Sequence, residues 1–164
     1  MHGATQRSEV RGQKSESRIR STALKALNTC LQNYPNDMQI KSPKDLIVYQ
    51  KAYALSMQIF EVSKRFPAEE KFSLTDQIRR SSRSVCTNLR EAWAKRKYEA
   101  HFVSKLTDSD GENGETDSWL DFARDCEYLS KSDHAALTTQ CHEVGAMLGS
   151  MINDPSSFIL QPDV

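Results

Sequence analysis

Two apolar stripes running side by side along residues 43–66 constrain this chain more than any other feature. Val48, Ala52, Leu55, Ile59, Val62 and Phe66 recur at spacings of four and three, the repeat of one helical face. Leu46, Tyr49, Tyr53, Met57 and Phe60 form a second stripe beside the first. A face this wide is broader than one partner helix can cover. The segment is therefore predicted to be a helix packed against several others. Pro43 is acceptable in its first turn and Pro67 ends it.

Three further segments follow. Ser73 with Asp76 reads as a capping box, and Leu74, Ile78, Val85, Leu89 and Ala92 mark the buried side of a second helix to about residue 95. Apart from Arg83, residues 81–88 are mostly small and hydroxylated, so a neighbouring helix can approach closely there. After a short break, a third helix is predicted over 98–128. Gly111 and Gly114 weaken it, each by about 1 kcal/mol relative to Ala, and residues 108–118 taken alone read as a loop. Ser130 with Asp133 reads as another capping box, and Leu137, Cys141, Val144, Leu148 and Met151 repeat through a fourth helix that ends before Pro155. Gly145 and Gly149, one turn apart, suit close packing within the fold.

The 164 residues suffice for one all-α domain with a modest core, predicted over 41–160. Residues 1–40, rich in Arg, Ser, Gln and Asn, are expected to form a flexible basic tail with one short helix over 19–32. Met38 is expected to be the natural start. No apolar run approaches the roughly 20 residues of a membrane span, and the chain is read as cytoplasmic. Cys30, Cys86, Cys126 and Cys141 are widely spaced and read as small buried thiols.

Familiar chemistries fail on spacing. A di-iron bundle needs Glu three residues before its His ligands, and Tyr98, Lys131 and Thr139 precede His101, His134 and His142. A calcium loop counted from Asp108 puts Asn113 at the glycine position and Trp119 at the terminal glutamate. There is no nucleophile elbow and no phosphate-binding loop. No enzyme activity, metal, cofactor or small-molecule substrate is expected.

The zero formal charge hides a division: residues 1–97 hold 19 Lys+Arg against 9 Asp+Glu, and residues 98–164 hold 3 against 13. Such asymmetry points to neutralisation between the halves or to a charged partner. In the second helix Arg79, Arg83, Arg90 and Lys97 project from one flank, with Lys95 beside them, and are candidates for nucleic-acid phosphate. In the third, Asp108, Glu112 and Glu115 share a face with Trp119, Ala123 and Cys126 and need cations, for which Arg79, Arg80 and Arg83 are the candidates. Two readings stand: a basic ridge that meets RNA, or a structural or protein-partner module whose arginines are consumed by salt bridges. Trp93, Tyr98, Phe102 and Trp119 could stack on bases; at helical spacing they are read as core or interface.

The segments LIVYQKAY from Leu46, LTDQIRRS from Leu74 and ETDSWLDFA from Glu115 resemble the 23S rRNA intervening sequence protein family, and the resemblance covers residues 42–152. It implies an antiparallel up-down four-helix bundle with an unbroken third helix, assembled as a homopentameric ring. A related bundle is the accessory protein of diversity-generating retroelements, which implies RNA or a reverse transcriptase as partner. Many relatives carry a glycine-containing turn after the stretch matching Thr87–Leu89, where this chain has the more basic REAWAKR.

Overall fold

A computed structural model describes residues 40–160; the predicted tail, Met38 and Cys30 lie outside them. The chain enters through a 3-10 turn at Pro43–Asp45. Ser42 caps it, accepting from the Lys44 N–H while Asp45 accepts from the Ser42 N–H at 2.8 Å. This turn and the extended Leu46 take up the first residues of the predicted helix, so α1 spans Ile47–Ser63. After a second 3-10 turn at Ala68–Phe72 come α2, Leu74–Lys95, α3, Glu99–Asp125, and α4, Lys131–Asn153. A final turn at Ser156–Phe158 closes the described chain.

The N-cap of α2 differs from expectation. Ser73 sits at the cap position but its hydroxyl donates to Glu70 Oε2, and that carboxylate also accepts the Leu74 N–H at 3.2 Å. Glu70, not Asp76, thus satisfies the helix start, and these bonds hold its carboxyl below the usual range. At α4 the Ser130 hydroxyl accepts from the Asp133 N–H at 3.0 Å, while the Asp133 carboxylate lies 3.4 Å from Arg65.

Each helix packs against its chain neighbours, and α1 meets α4 to close the bundle. Paired contacts give antiparallel registers: Ser109 bonds to Val85 and Thr116 to Ser81 across α2–α3, and Lys51 meets Glu143 while Gln58 meets Gln140 across α1–α4. The α2–α3 pair is the most extensive, as the small residues of α2 allow. Helix α3 runs unbroken through Gly111 and Gly114, which face outward.

The core falls into two apolar clusters. One gathers Leu46, Val48, Val85, Leu89, Phe102, Leu106, Val144 and Leu148; the other gathers Leu55, Ile59, Leu74, Ile78, Leu120, Leu137 and Cys141. Between them the buried stripe of α3 is polar: Ser109, Asn113 and Thr116. This corrects the sequence reading, in which the acids shared the buried face; Asp108 is exposed and Glu112 and Glu115 flank the stripe half-buried. The polar groups are satisfied. Ser109 Oγ donates to Val85 O at 2.9 Å, the Thr116 and Ser81 hydroxyls meet at 2.9 Å, and Asn113 Nδ2 donates to Cys141 O at 3.0 Å. Gly145 lets Asn113 in, since a Cβ there would lie 3.1 Å from Asn113 Nδ2; a Cβ at Gly149 would meet nothing within 4 Å.

Cys86 and Cys141 are buried, and desolvation pushes both thiols up to about 12. Cys126 is exposed, because α3 ends at Asp125 and Cys126 belongs to its C-cap turn. Among the described residues no helix is long and apolar enough to cross a membrane.

Candidate nucleic-acid interface

The buried side of α2, from Leu74 to Ala92, leaves its other flanks to cations. Arg80 is committed to α3: its Nη2 lies 2.8 Å from Glu115 Oε1 and its Nη1 3.8 Å from Glu112 Oε1. Trp119 Nε1 donates to the same Glu115 oxygen at 3.1 Å, which links indole, carboxylate and guanidinium across the seam. Burial holds the Glu112 carboxyl above its usual range in spite of Arg80, with Glu115 and Asp108 adding repulsion. Its Oε2 is buried and has no hydrogen-bond partner among the described residues.

Asp108 does not meet Arg79, Arg80 or Arg83. Its partner is Lys105, at 3.1 Å, which also holds Glu91 of α2 at 2.9 Å. Hydrogen bonds to Glu91 and then Asp108 raise the Lys105 ammonium above its ordinary value. Lys105 was absent from the sequence candidates, although its position three residues before Asp108 is a helical pairing distance.

Arg79 and Arg83 turn toward α1 instead. Arg79 Nε donates to Ser63 Oγ at 2.8 Å. The Phe60 ring gathers Lys64 at 4.6 Å, Arg79 at 5.0 Å and Arg83 at 5.7 Å from its centroid. The negative face of an aromatic ring attracts cations, so Phe60 is a platform for charge as well as part of an apolar stripe.

Arg83, Arg90, Lys95 and Lys97 are exposed, and among the described residues none of these four forms an ion pair. Seven residues make nearly two helical turns, so Arg83 and Arg90 lie on one flank roughly 10 Å apart. Lys95 and Lys97 carry the positive charge on to the C-terminal end of the helix, where the helix dipole favours cations. Arg96 stacks over the Trp93 ring at 4.1 Å and donates to the Trp93 carbonyl at 2.8 Å. The result is a flank of spare cations beside a seam in which α3 acids are already paired.

The profile of the family described as 23S rRNA-intervening sequence protein matches residues 44–150. The chain belongs to that family. A crystal structure of a protein with unknown function from the S23 ribosomal protein family of Bacteroides thetaiotaomicron VPI-5482 is similar to it, with 30% identity and a TM-score of 0.60. The similarity covers 67% of this chain and 98% of that one. No match was found among curated proteins. In this member of the 23S rRNA-intervening sequence protein family, α2 stays helical to Lys95, with Ala92 fully buried and Trp93 packed against the core. The basic REAWAKR stretch is therefore helix up to its last residue, Arg96, which is the C-cap.

Proposed function

We propose that the protein is a non-catalytic, self-associating helical scaffold that contacts RNA phosphates through the basic flank of α2. One observation carries the reading: Arg80 and Lys105 hold acids of α3, whereas Arg83, Arg90, Lys95 and Lys97 are exposed without an ion-pair partner among the described residues. Arginine offers phosphate a planar fork of donors, and phosphate contacts dominate nucleic-acid affinity. Self-association is supported by α1, which leaves Tyr53 and Met57 of its second apolar stripe exposed. A homopentameric ring in the cytoplasm, presenting RNA to a nucleic-acid-processing enzyme such as a reverse transcriptase, is the setting this reading gives the scaffold.

The test is RNA affinity as a function of salt for the wild type and for Arg83→Glu with Arg90→Glu. Each phosphate contact contributes about 0.7 to the log–log slope for a single strand, so losing two lowers the slope by roughly 1.4. Binding that ignores salt, or that survives the double reversal, refutes the mechanism. A structural module is the second reading, favoured by the Arg80–Glu115 and Arg79–Ser63 contacts. It expects no RNA binding, and a change in light-scattering mass on the same reversal.

A further inference from the structure

Four aromatic side chains among the described residues are more than half exposed: Phe72 at 84%, Tyr98 at 58%, Phe122 at 56% and Tyr53 at 54%. Their surroundings differ in charge. Tyr53 lies on the apolar side of α1 near Met57, and Phe122 follows Asp121 with Asp125 close behind, both paired to Arg124. Phe72 follows Glu69, Glu70 and a single cation, Lys71, whose ammonium stands 5.1 Å from the ring centroid. Tyr98 alone follows three consecutive cations, Lys95, Arg96 and Lys97, at the end of the unpaired flank of α2.

The backbone at this corner is held from several sides. The Tyr98 N–H donates to Lys95 O at 3.0 Å, and its carbonyl accepts from His101 and Phe102 at 3.0 Å each. Phe102 is buried in the core and stacked by Phe158 at 6.1 Å, and the Leu160 N–H donates to Arg96 O at 3.1 Å. The Tyr98 side chain makes no capping bond. His101 meets the ring at 58° and 5.6 Å, too steep to cover a face as a stacked ring does, and the Lys97 ammonium stands 5.8 Å from its centroid. An aromatic on a hydrogen-bonded corner beside exposed Lys95 and Lys97 suits a nucleobase, whose π-face stacks on the ring while its phosphates take the cations.

We propose that Tyr98 is a stacking platform for an unpaired base, so that the RNA bound along α2 is single-stranded; the inference rests on the phosphate reading above. In duplex RNA the bases are stacked on one another and do not reach such a ring.

Fluorescence anisotropy of the full chain with three labelled probes tests this: oligoadenylate RNA, the same RNA annealed to its complement, and an abasic ribose-phosphate oligomer. Tyr98→Ala weakens oligoadenylate binding by about 5- to 100-fold and changes duplex and abasic binding by less than about twofold. Tyr98→Phe binds as the wild type does. Tyr98→Leu keeps the bulk without the π-face and behaves like Tyr98→Ala, which excludes a folding artefact. If Tyr98→Ala holds oligoadenylate as tightly as the wild type, with salt dependence intact, stacking is overturned and the phosphate reading stands. If the wild type binds none of the probes, both fall.

Discussion

Asn113 offers the sharpest test of how the bundle is held in register. Its amide is 6% exposed; Nδ2 donates to Cys141 O at 3.0 Å, and Oδ1 accepts from Cys141 Sγ at 3.2 Å. Asn113→Ala removes both bonds without stranding either partner. The Cys141 carbonyl lies within α4, where helical N–H groups serve it, and the thiol also reaches Asn113 O at 3.3 Å. The loss is about 1–2 kcal/mol, roughly that of a net hydrogen bond with a small void. Asn113→Asp keeps the shape but replaces the donor with an oxygen aimed at a carbonyl, in a region already carrying Asp110 and Asp117. An unpaired buried charge costs about 3–5 kcal/mol, so burial raises the folded-state pKa of the new carboxyl above its unfolded value. The folded state then holds the proton more tightly than the unfolded chain. The deficit is therefore small near pH 4, grows by about 1.4 kcal/mol per pH unit as pH rises, and levels off above the raised value. Urea denaturation of wild type, Asn113→Ala and Asn113→Asp between pH 4 and pH 8 measures it. If Asn113→Asp shows the same deficit at both ends, or Asn113→Ala matches it at pH 8, the buried amide does not have the role assigned to it.

Other substitutions discriminate among local features. Gly149→Ala, with open space at its Cβ, stabilises by roughly 0.5–1 kcal/mol in thermal denaturation, whereas Gly145→Ala pushes Asn113 aside and shows no such gain. Glu127, the residue after the α3 C-cap Cys126, has a positive φ of 62°; Glu127→Gly relieves that conformation and raises stability by about 1 kcal/mol in urea melts. The raised carboxyl of Glu112 makes its contribution more unfavourable as pH climbs above the ordinary 4.5. Glu112→Gln therefore gains on the wild type in the difference between pH 7 and pH 4 melts, and a difference of the opposite sign refutes the burial argument.

The helices were legible because apolar spacing is a direct record of which face is buried: all five residues read as the inner side of α2 lie inside. The third helix was not, because its inward positions are Ser109, Asn113 and Thr116, which look like surface residues until their hydrogen-bond partners on α2 and α4 are known. Only the family resemblance carried the helix across Gly111 and Gly114. At the candidate site, charge counting identified the basic flank. It could not tell Arg80, which faces two carboxylates, from Arg83, one turn on, which faces an aromatic ring. Tyr98 reads with Trp93, Phe102 and Trp119 as core or interface; Phe102 is buried and Tyr98 is exposed, because a side chain at a helix junction obeys no face periodicity.

The hydrophilic waist of the bundle divides the information in the fold unequally. Oily side chains at either end can exchange partners among themselves and still be content, so they specify attraction but little alignment. Were α3 to slide by one turn against its neighbours, the amide and hydroxyls at its midpoint would face hydrocarbon with nothing to bond. The few groups that contribute least to cohesion thereby settle which of several equally greasy arrangements the chain adopts.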